Sequence, residues 1–354
     1  MLPALAGVLI GPTEAQLVCY EGFGEYGAGA QVESGSNNSS GTGLNGGTGW
    51  GGAYDVHNAI KSLVKIENRT PSPVNYANGE VTIPGGTRAL RFSDMAHSPT
   101  NSFAVQRPLG TVFGAAAGET LWFSVLFRTN NASPLPNQDF FQIGFDDNAN
   151  AVSGSPRVSI GANTTSITTF PAAFQLFARS TTSIDASANA FHSSLPIAAG
   201  VTYLLVGSIQ PNAGIYDSVS LFVNPSTLDE PGPPSASITL PSGLTTLSNA
   251  FIRTAYLDTG DVYVLDELRI GRDYGSVVQS LRNALQILPA ATPGDPPTLR
   301  WPASLTGVVL ETSTTLAPES WTEVTESYTL SGENLEFPIP IDPEVPRCFF
   351  RLRR

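Results

Sequence analysis

The chain has 354 residues, too many for one small module, with 34 glycines, 28 prolines and only 14% charged residues, a balance that disfavours long helices and favours short strands joined by turns. The formal net charge is −12 and the lysines are Lys61 and Lys65, so the composition offers no basic face to release counterions from a phosphate backbone, and nucleic acid is not an expected partner. Such a surface also disfavours anionic lipid, and no apolar run approaches the ~20 residues that cross a bilayer, which leaves neutral polymers, cations or other proteins as ligands.

In chain order, Leu2-Pro-Ala-Leu-Ala-Gly-Val-Leu-Ile10 has the length of a signal-peptide apolar region, and Ala15 offers a small residue near a cleavage point, so residues 1–16 are expected to be the remnant of an export signal. A basic stretch before it is missing, and a buried first strand is the alternative. Leu17-Val-Cys19 has the outline of a lipid-attachment motif, but the bulky Val18 argues against it. Residues 27–52 are dominated by Gly, Ser and Asn and are expected to be a long surface loop.

Strands are then predicted at short intervals: Glu80–Ile83, Arg88–Phe92, Glu119–Arg128, Asp139–Phe145, Arg157–Ile160, Ala173–Arg179, Val201–Ile209, Ser218–Val223, Ala250–Leu257 and Val262–Ile270. A helix is predicted over Tyr274–Leu288. The Pro-rich stretch 289–297 reads as a stiff linker between a body at 17–288 and a small β module at 298–354, near the lower size limit for independent folding. Cys19 and Cys348 stand at opposite ends and make neither a disulfide framework nor a clustered zinc site; whether they pair is left open. The fold class expected is all-β, an antiparallel sandwich or jelly roll.

Three segments carry a resemblance: Tyr20-Glu-Gly-Phe23, Gly46-Gly-Thr-Gly-Trp50 and Val264-Leu-Asp-Glu-Leu-Arg-Ile-Gly271. Together they resemble the laminin G-like, concanavalin A-like jelly roll of secreted bacterial proteins, and the tail is similar to C-terminal β modules of exported proteins. The resemblance implies an extracellular or cell-surface protein on a scaffold that hosts lectins, laminarinases and structural units alike, so the fold does not choose among functions.

Motifs of catalysis are not visible. Glucanases of this fold carry Glu-x-Asp-x-Glu, which is absent; Asp266 and Glu267 are adjacent and expected on opposite strand faces, in a structural role such as bonding a loop or pairing with Arg269. Gly-x-Ser-x-Gly, His-Glu-x-x-His and Cys-x-x-Cys are absent, and His57, His97 and His192 lie in no motif. Gly41-Thr-Gly-Leu-Asn-Gly46 matches a dinucleotide fingerprint by letter only, since no strand precedes it.

Two candidate ligand positions remain. Trp50 and Tyr54 follow the Gly-rich loop and could stack on a sugar or simply seal the sandwich edge. Asp146-Asp-Asn-Ala-Asn150 sets Asp146, Asp147, Asn148 and Asn150 after a strand, either as a calcium loop or as an ordinary turn. The expected function is a secreted, non-catalytic carbohydrate-binding or adhesion protein with a neutral polysaccharide or glycoconjugate as partner. The alternatives are a glycoside hydrolase or polysaccharide lyase on the same scaffold, and a structural envelope or matrix protein.

Overall fold

The computed structural model describes residues 17–33, 43–57, 63–93, 102–130, 140–148, 157–164, 174–182, 190–228, 230–255, 257, 260–278, 285–290, 292, 295–302, 309–315, 320–331, 334–340 and 348–353. Two compact units divide at Val278 and Gln279. The expected export signal at 1–16 lies outside the described residues.

The strands of the N-terminal unit are β1 (Leu17–Glu21), β2 (Asp55–His57), β3 (Val64–Asn68), β4 (Tyr76–Asn78), β5 (Val81–Ile83), β6 (Arg88–Ser93), β7 (Ser102–Gly114), β8 (Leu121–Thr129) and β9 (Phe140–Asp146). They continue with β10 (Arg157–Thr164), β11 (Phe174–Thr181), β12 (Ala190–Pro196), β13 (Thr202–Asn212), β14 (Ile215–Val223), β15 (Ala236–Leu244), β16 (Thr246–Ala255) and β17 (Val262–Gly271). An eight-stranded antiparallel sheet runs β15-β14-β13-β8-β17-β6-β3 with β1 added to β17, and a seven-stranded one runs β12-β11-β10-β9-β16-β7-β2. The protein is an all-β antiparallel sandwich, as its composition and strand spacing predict.

Alternation along the strands fills the space between the sheets. Phe123, Val125 and Phe127 of β8 meet Phe141, Ile143 and Phe145 of β9, with Phe127 and Phe141 stacked at 4.5 Å between centroids. The other face of the eight-stranded sheet is apolar at Leu126, Leu204, Val206 and Val264, where the β4-β5 hairpin and helix α1 (Tyr274–Val277) pack on it. That double burial explains why β8 and β13 read as continuous apolar runs.

Three features differ from the sequence reading. The helix is one turn long: Asp273 caps it through the Ser276 N–H at 2.8 Å, and the β-branched Val277 and Val278 turn the chain back to an extended path. Its expected second half contains strand β18 (Gln286–Leu288), which belongs to the C-terminal unit.

The Gly-rich stretch, a surface loop as expected over its described residues, is more firmly anchored than its composition suggests. Isolated bridges join Gln31 to Lys65, Tyr20 to Thr48 and Trp50 to Leu109, and Val32 is fully buried. Gly49 is required here: its φ is +79° and an added Cβ would lie 1.7 Å from the Val18 carbonyl oxygen.

Finally, β17 bulges between Asp266 and Arg269, with Glu267 at φ +55°. Leu265 and Leu268 both face the core, so two residues stand between them where strict alternation allows one, and the opposite-face argument for Asp266 and Glu267 fails. Their roles are structural: Asp266 accepts from the Gly86 and Glu267 N–H groups at 2.9 Å, and Glu267 pairs with Arg269 and accepts from the Tyr20 hydroxyl at 3.0 Å.

The C-terminal unit adds β19 (Thr298–Pro302), β20 (Val309–Ser313), β21 (Thr322–Glu323), β22 (Thr329–Ser331), β23 (Asn334–Pro338) and β24 (Phe349–Arg353). A four-stranded sheet, β18-β19-β23-β22, and a three-stranded one, β21-β20-β24, enclose a small core of Leu299, Trp301, Leu310, Val324, Phe337 and Leu352. Cys19 is buried, its thiol donating to the Gly49 carbonyl, and Cys348 is exposed; both are free.

Candidate functional site

Because Phe141, Ile143 and Phe145 point into the core, Gln142, Gly144 and Asp146 occupy the outer face of the seven-stranded sheet. The register extends that face. One row crosses all seven strands through His57, Ala104, Arg253, Gln142, Gly161, Phe177 and His192, about 29 Å at ~4.8 Å per strand. A neighbouring row holds Gln106, Phe251, Gly144, Ser159 and Arg179. Outward-facing strand residues are ordinarily exposed and polar. Here Gln106, Gln142, Asp146, Arg157, Ser159 and Arg179 are polar and buried.

Arginines and phenylalanines interleave across the face. Arg157 lies over the Phe251 ring at 4.9 Å, Arg179 at 5.4 Å from Phe177 and 5.6 Å from Phe140, and Arg253 at 5.5 Å from Phe140. The glycines accommodate the rings: a Cβ on Gly144 would lie 2.9 Å from Phe251 Cζ, and one on Gly161 2.7 Å from Phe177 Cζ.

Two polar side chains of β9 each keep one atom without a hydrogen-bond partner among the described residues. Gln142 Oε1 accepts from Ser159 Oγ at 3.3 Å, but its amide nitrogen is buried and unbonded. Asp146 Oδ1 accepts from Gln106 Nε2 at 3.2 Å and from the Asn148 N–H at 3.3 Å, while Oδ2 is buried and unbonded. Burial pushes the Asp146 carboxyl up to about 7, against the opposing pull of the Arg157 guanidinium and the Asn148 N–H. Buried polar atoms are rarely left without a hydrogen bond, which singles these two out on the central strand.

The acidic run at 146–150 is divided by this arrangement. Asp146 points into the buried face, Asp147 is exposed, and the Asn148 carbonyl accepts from Asn249 Nδ2 at 3.1 Å; Asn150 lies outside the described residues. The Asn148 N–H bond to Asp146 Oδ1 is that of an Asx turn. Among the described residues no group of three or more His, Cys, Asp or Glu side chains is placed to hold a metal ion.

Trp50 and Tyr54 are brought together elsewhere, on either side of Arg107, whose guanidinium lies 4.7 Å and 4.6 Å from their ring centres. Arg107 and Glu21 are buried and joined at 2.7 Å, and Glu21 also accepts from the Phe23 N–H and the Tyr26 and Tyr54 hydroxyls. Arg107 donates further to Gly52 O at 2.8 Å, Asn45 Oδ1 at 3.0 Å and Gly46 O at 2.7 Å. The Trp50 indole N–H donates to Tyr20 O at 3.1 Å. Both aromatics thus serve the packing that holds the Gly-rich segment. The gap beside them is walled by Val105, Ile143, Ala250 and Ile252 of the core.

Sequence reasoning missed Gln142, Arg253, Arg157 and Arg179. The available signal was alternation in Phe-Phe-Gln-Ile-Gly-Phe-Asp146 and Phe-Gln-Leu-Phe-Ala-Arg179, where the face opposite the core carries amide, guanidinium and glycine together with phenylalanine.

No family model and no curated protein matches the chain. Among solved structures, alginate lyase Aly36B aligns with a TM-score of 0.36 and 12% identity over 55% of this chain and 84% of its own. An endo-β-1,4-glucuronan lyase from Trichoderma reesei gives 0.35 and 14% over 65% and 94%, and lectin UEA-II complexed with galactose gives 0.35 and 9% over 62% and 97%.

Proposed function

We propose that this chain is a non-catalytic carbohydrate-binding protein whose ligand lies along the outer face of the seven-stranded sheet. The observation that carries this reading is the pair of unbonded buried groups, the Gln142 amide donor and the Asp146 Oδ2 acceptor, on one central strand. A sugar hydroxyl both donates and accepts, so a hydroxyl-bearing polymer satisfies both groups without a change of charge. The two positions are four residues apart, about 13 Å, a span bridged by a chain of sugars and not by a single ring.

The same face supports binding over hydrolysis. Its described carboxylates, Asp146 on β9 and Asp55 on β2, stand three strands apart, about 14 Å between backbones, so a pair at the ~5–9.5 Å of glycoside hydrolysis would require both side chains to lean together. Gln142 is fully enclosed, so contact requires the face to open, and association should be slower than the usual ~10⁵–10⁷ M⁻¹s⁻¹.

A polysaccharide array, with and without calcium, tests the reading. The expected result is retention of at least one polymer without release of reducing ends, weakened about tenfold in Q142A, whose melting temperature stays within a few degrees of wild type because the lost Ser159 bond is offset by removal of an unbonded donor. No retained polymer, or Q142A binding as tightly as wild type, would refute it; release of new ends would identify an enzyme instead.

A further inference from the structure

The opposite sheet carries a second feature that the composition hides. On the outer face of the eight-stranded sheet, register places Lys65 of β3 opposite Arg91 of β6, Arg91 opposite Val264 of β17, and Val264 opposite Arg128 of β8. Val264 belongs to the apolar cluster outside this sheet, which fixes the face that the three cations share. Adjacent strands set Lys65 and Arg91 about 5 Å apart at the backbone and Arg91 and Arg128 about 10 Å apart.

Among the described residues none of the three has an ion-pair or side-chain hydrogen-bond partner, although most other described arginines do, and the Arg91 Nε atom is buried and unbonded. Each of the three residues is half-buried. The nearest carboxylates do not neutralise the row. Glu67, two residues along β3, is paired with Arg69 at 3.3 Å, and Asp266, two residues along β17, is fully buried and bonded to the backbone of Gly86 and Glu267. Three unpaired cations in one line repel one another, and in a chain of net charge −12 their convergence without a single partner calls for an anion.

We propose that Lys65, Arg91 and Arg128 form a binding row for a polymer bearing carboxylate or sulfate groups, the anions lying across β3, β6, β17 and β8. The row is independent of the opposite sheet's Gln142 and Asp146, so its test stands whether or not that face binds sugar. Arginine takes such oxyanions in a bidentate manner, and a linear display at ~5–10 Å suits charges repeated along a chain better than one small ion.

The test compares the full chain with K65Q/R91Q/R128Q on immobilised dextran sulfate and alginate at 20–300 mM salt, with inorganic sulfate and single-stranded DNA as competitors. A control variant, R272Q/R300Q/R351Q, makes the same change in net charge at other places. The expected result is salt-sensitive retention on at least one polysaccharide, about 100-fold weaker in the row variant at roughly fivefold per cation and unchanged in the control. Equal loss in both variants, retention unaffected in the row variant, competition by millimolar sulfate as effective as by polymer, or preference for DNA would each overturn the proposal. Matching melting temperatures of the row variant and wild type confirm that lost binding is not lost folding.

Discussion

Arg107→Met removes one half of a fully buried ion pair and all three of the hydrogen bonds by which Arg107 holds the segment around Asn45, Gly46 and Gly52. Glu21 then keeps the Phe23 N–H and two tyrosine hydroxyls but no cation. Breaking a buried pair in this way costs about 3–5 kcal/mol, which in a unit of this size corresponds to a melting temperature lower by about 6–20 °C. Burial already pushes the Glu21 carboxyl above its ordinary value, and losing Arg107 raises it further. A raised acid favours the folded state at low pH and disfavours it as pH climbs from the unfolded to the folded value, so the penalty should be small near pH 4 and full at pH 8. Urea melts of wild type, R107M and E21Q/R107M across that range measure it, and the double variant should recover most of the loss because the orphaned charge is gone. A penalty below about 1 kcal/mol at pH 8, or a double variant no better than the single, would refute the idea that Trp50, Tyr54 and the Gly-rich segment are held by this cation.

Asp146 makes the same linkage visible on the outer face of the seven-stranded sheet. With its carboxyl at about 7 in the fold, it contributes stability below the unfolded value that is lost as pH rises toward 7; D146N should lack that slope, and the difference between the two proteins should swing by about 4 kcal/mol between pH 4 and 8 in thermal melts. A parallel pair of curves would show that the group is not buried as an acid. Gly161→Ala should cost about 1–3 kcal/mol or more, since the new Cβ would sit 2.1 Å from the Phe141 carbonyl oxygen and press the Phe177 ring; an unchanged denaturation midpoint would contradict that close packing.

The strands were legible because their side chains obey a local period of two, and Phe-Ser-Val-Leu-Phe127 shows its burial on both faces within a few residues. The helix was overread because Tyr274–Leu288 contains apolar residues at helical intervals, while the turn that ends it and the pairing of Gln286–Leu288 with β19 depend on the Asp273 cap and on a strand elsewhere in the chain. The bulge at Glu267 escaped for the same reason: alternation assumes one residue per step, and only the change of partner along β17 shows the extra one. Both candidate binding faces were hidden by sequence distance. Lys65, Arg91 and Arg128 are scattered in an acidic chain and become a row through register alone, so a composition that shows no basic face conceals a local one. Trp50 and Tyr54 were visible as aromatics beside a Gly-rich stretch, but their partner Arg107 lies 53 residues beyond Tyr54 and carried no local sign of its place between them.

The first strand of the large unit closes on its last: β1 pairs with the second half of β17, and Tyr20 bonds Glu267 across 247 positions of chain. On a ribosome, β1 therefore emerges long before its partner exists, and the central strands must wait with an unfilled edge until nearly the whole unit has been made. Such a layout favours slow, late assembly and exposes sticky intermediates, so the yield of this protein should depend on the rate of synthesis and on chaperones more than its final stability would suggest.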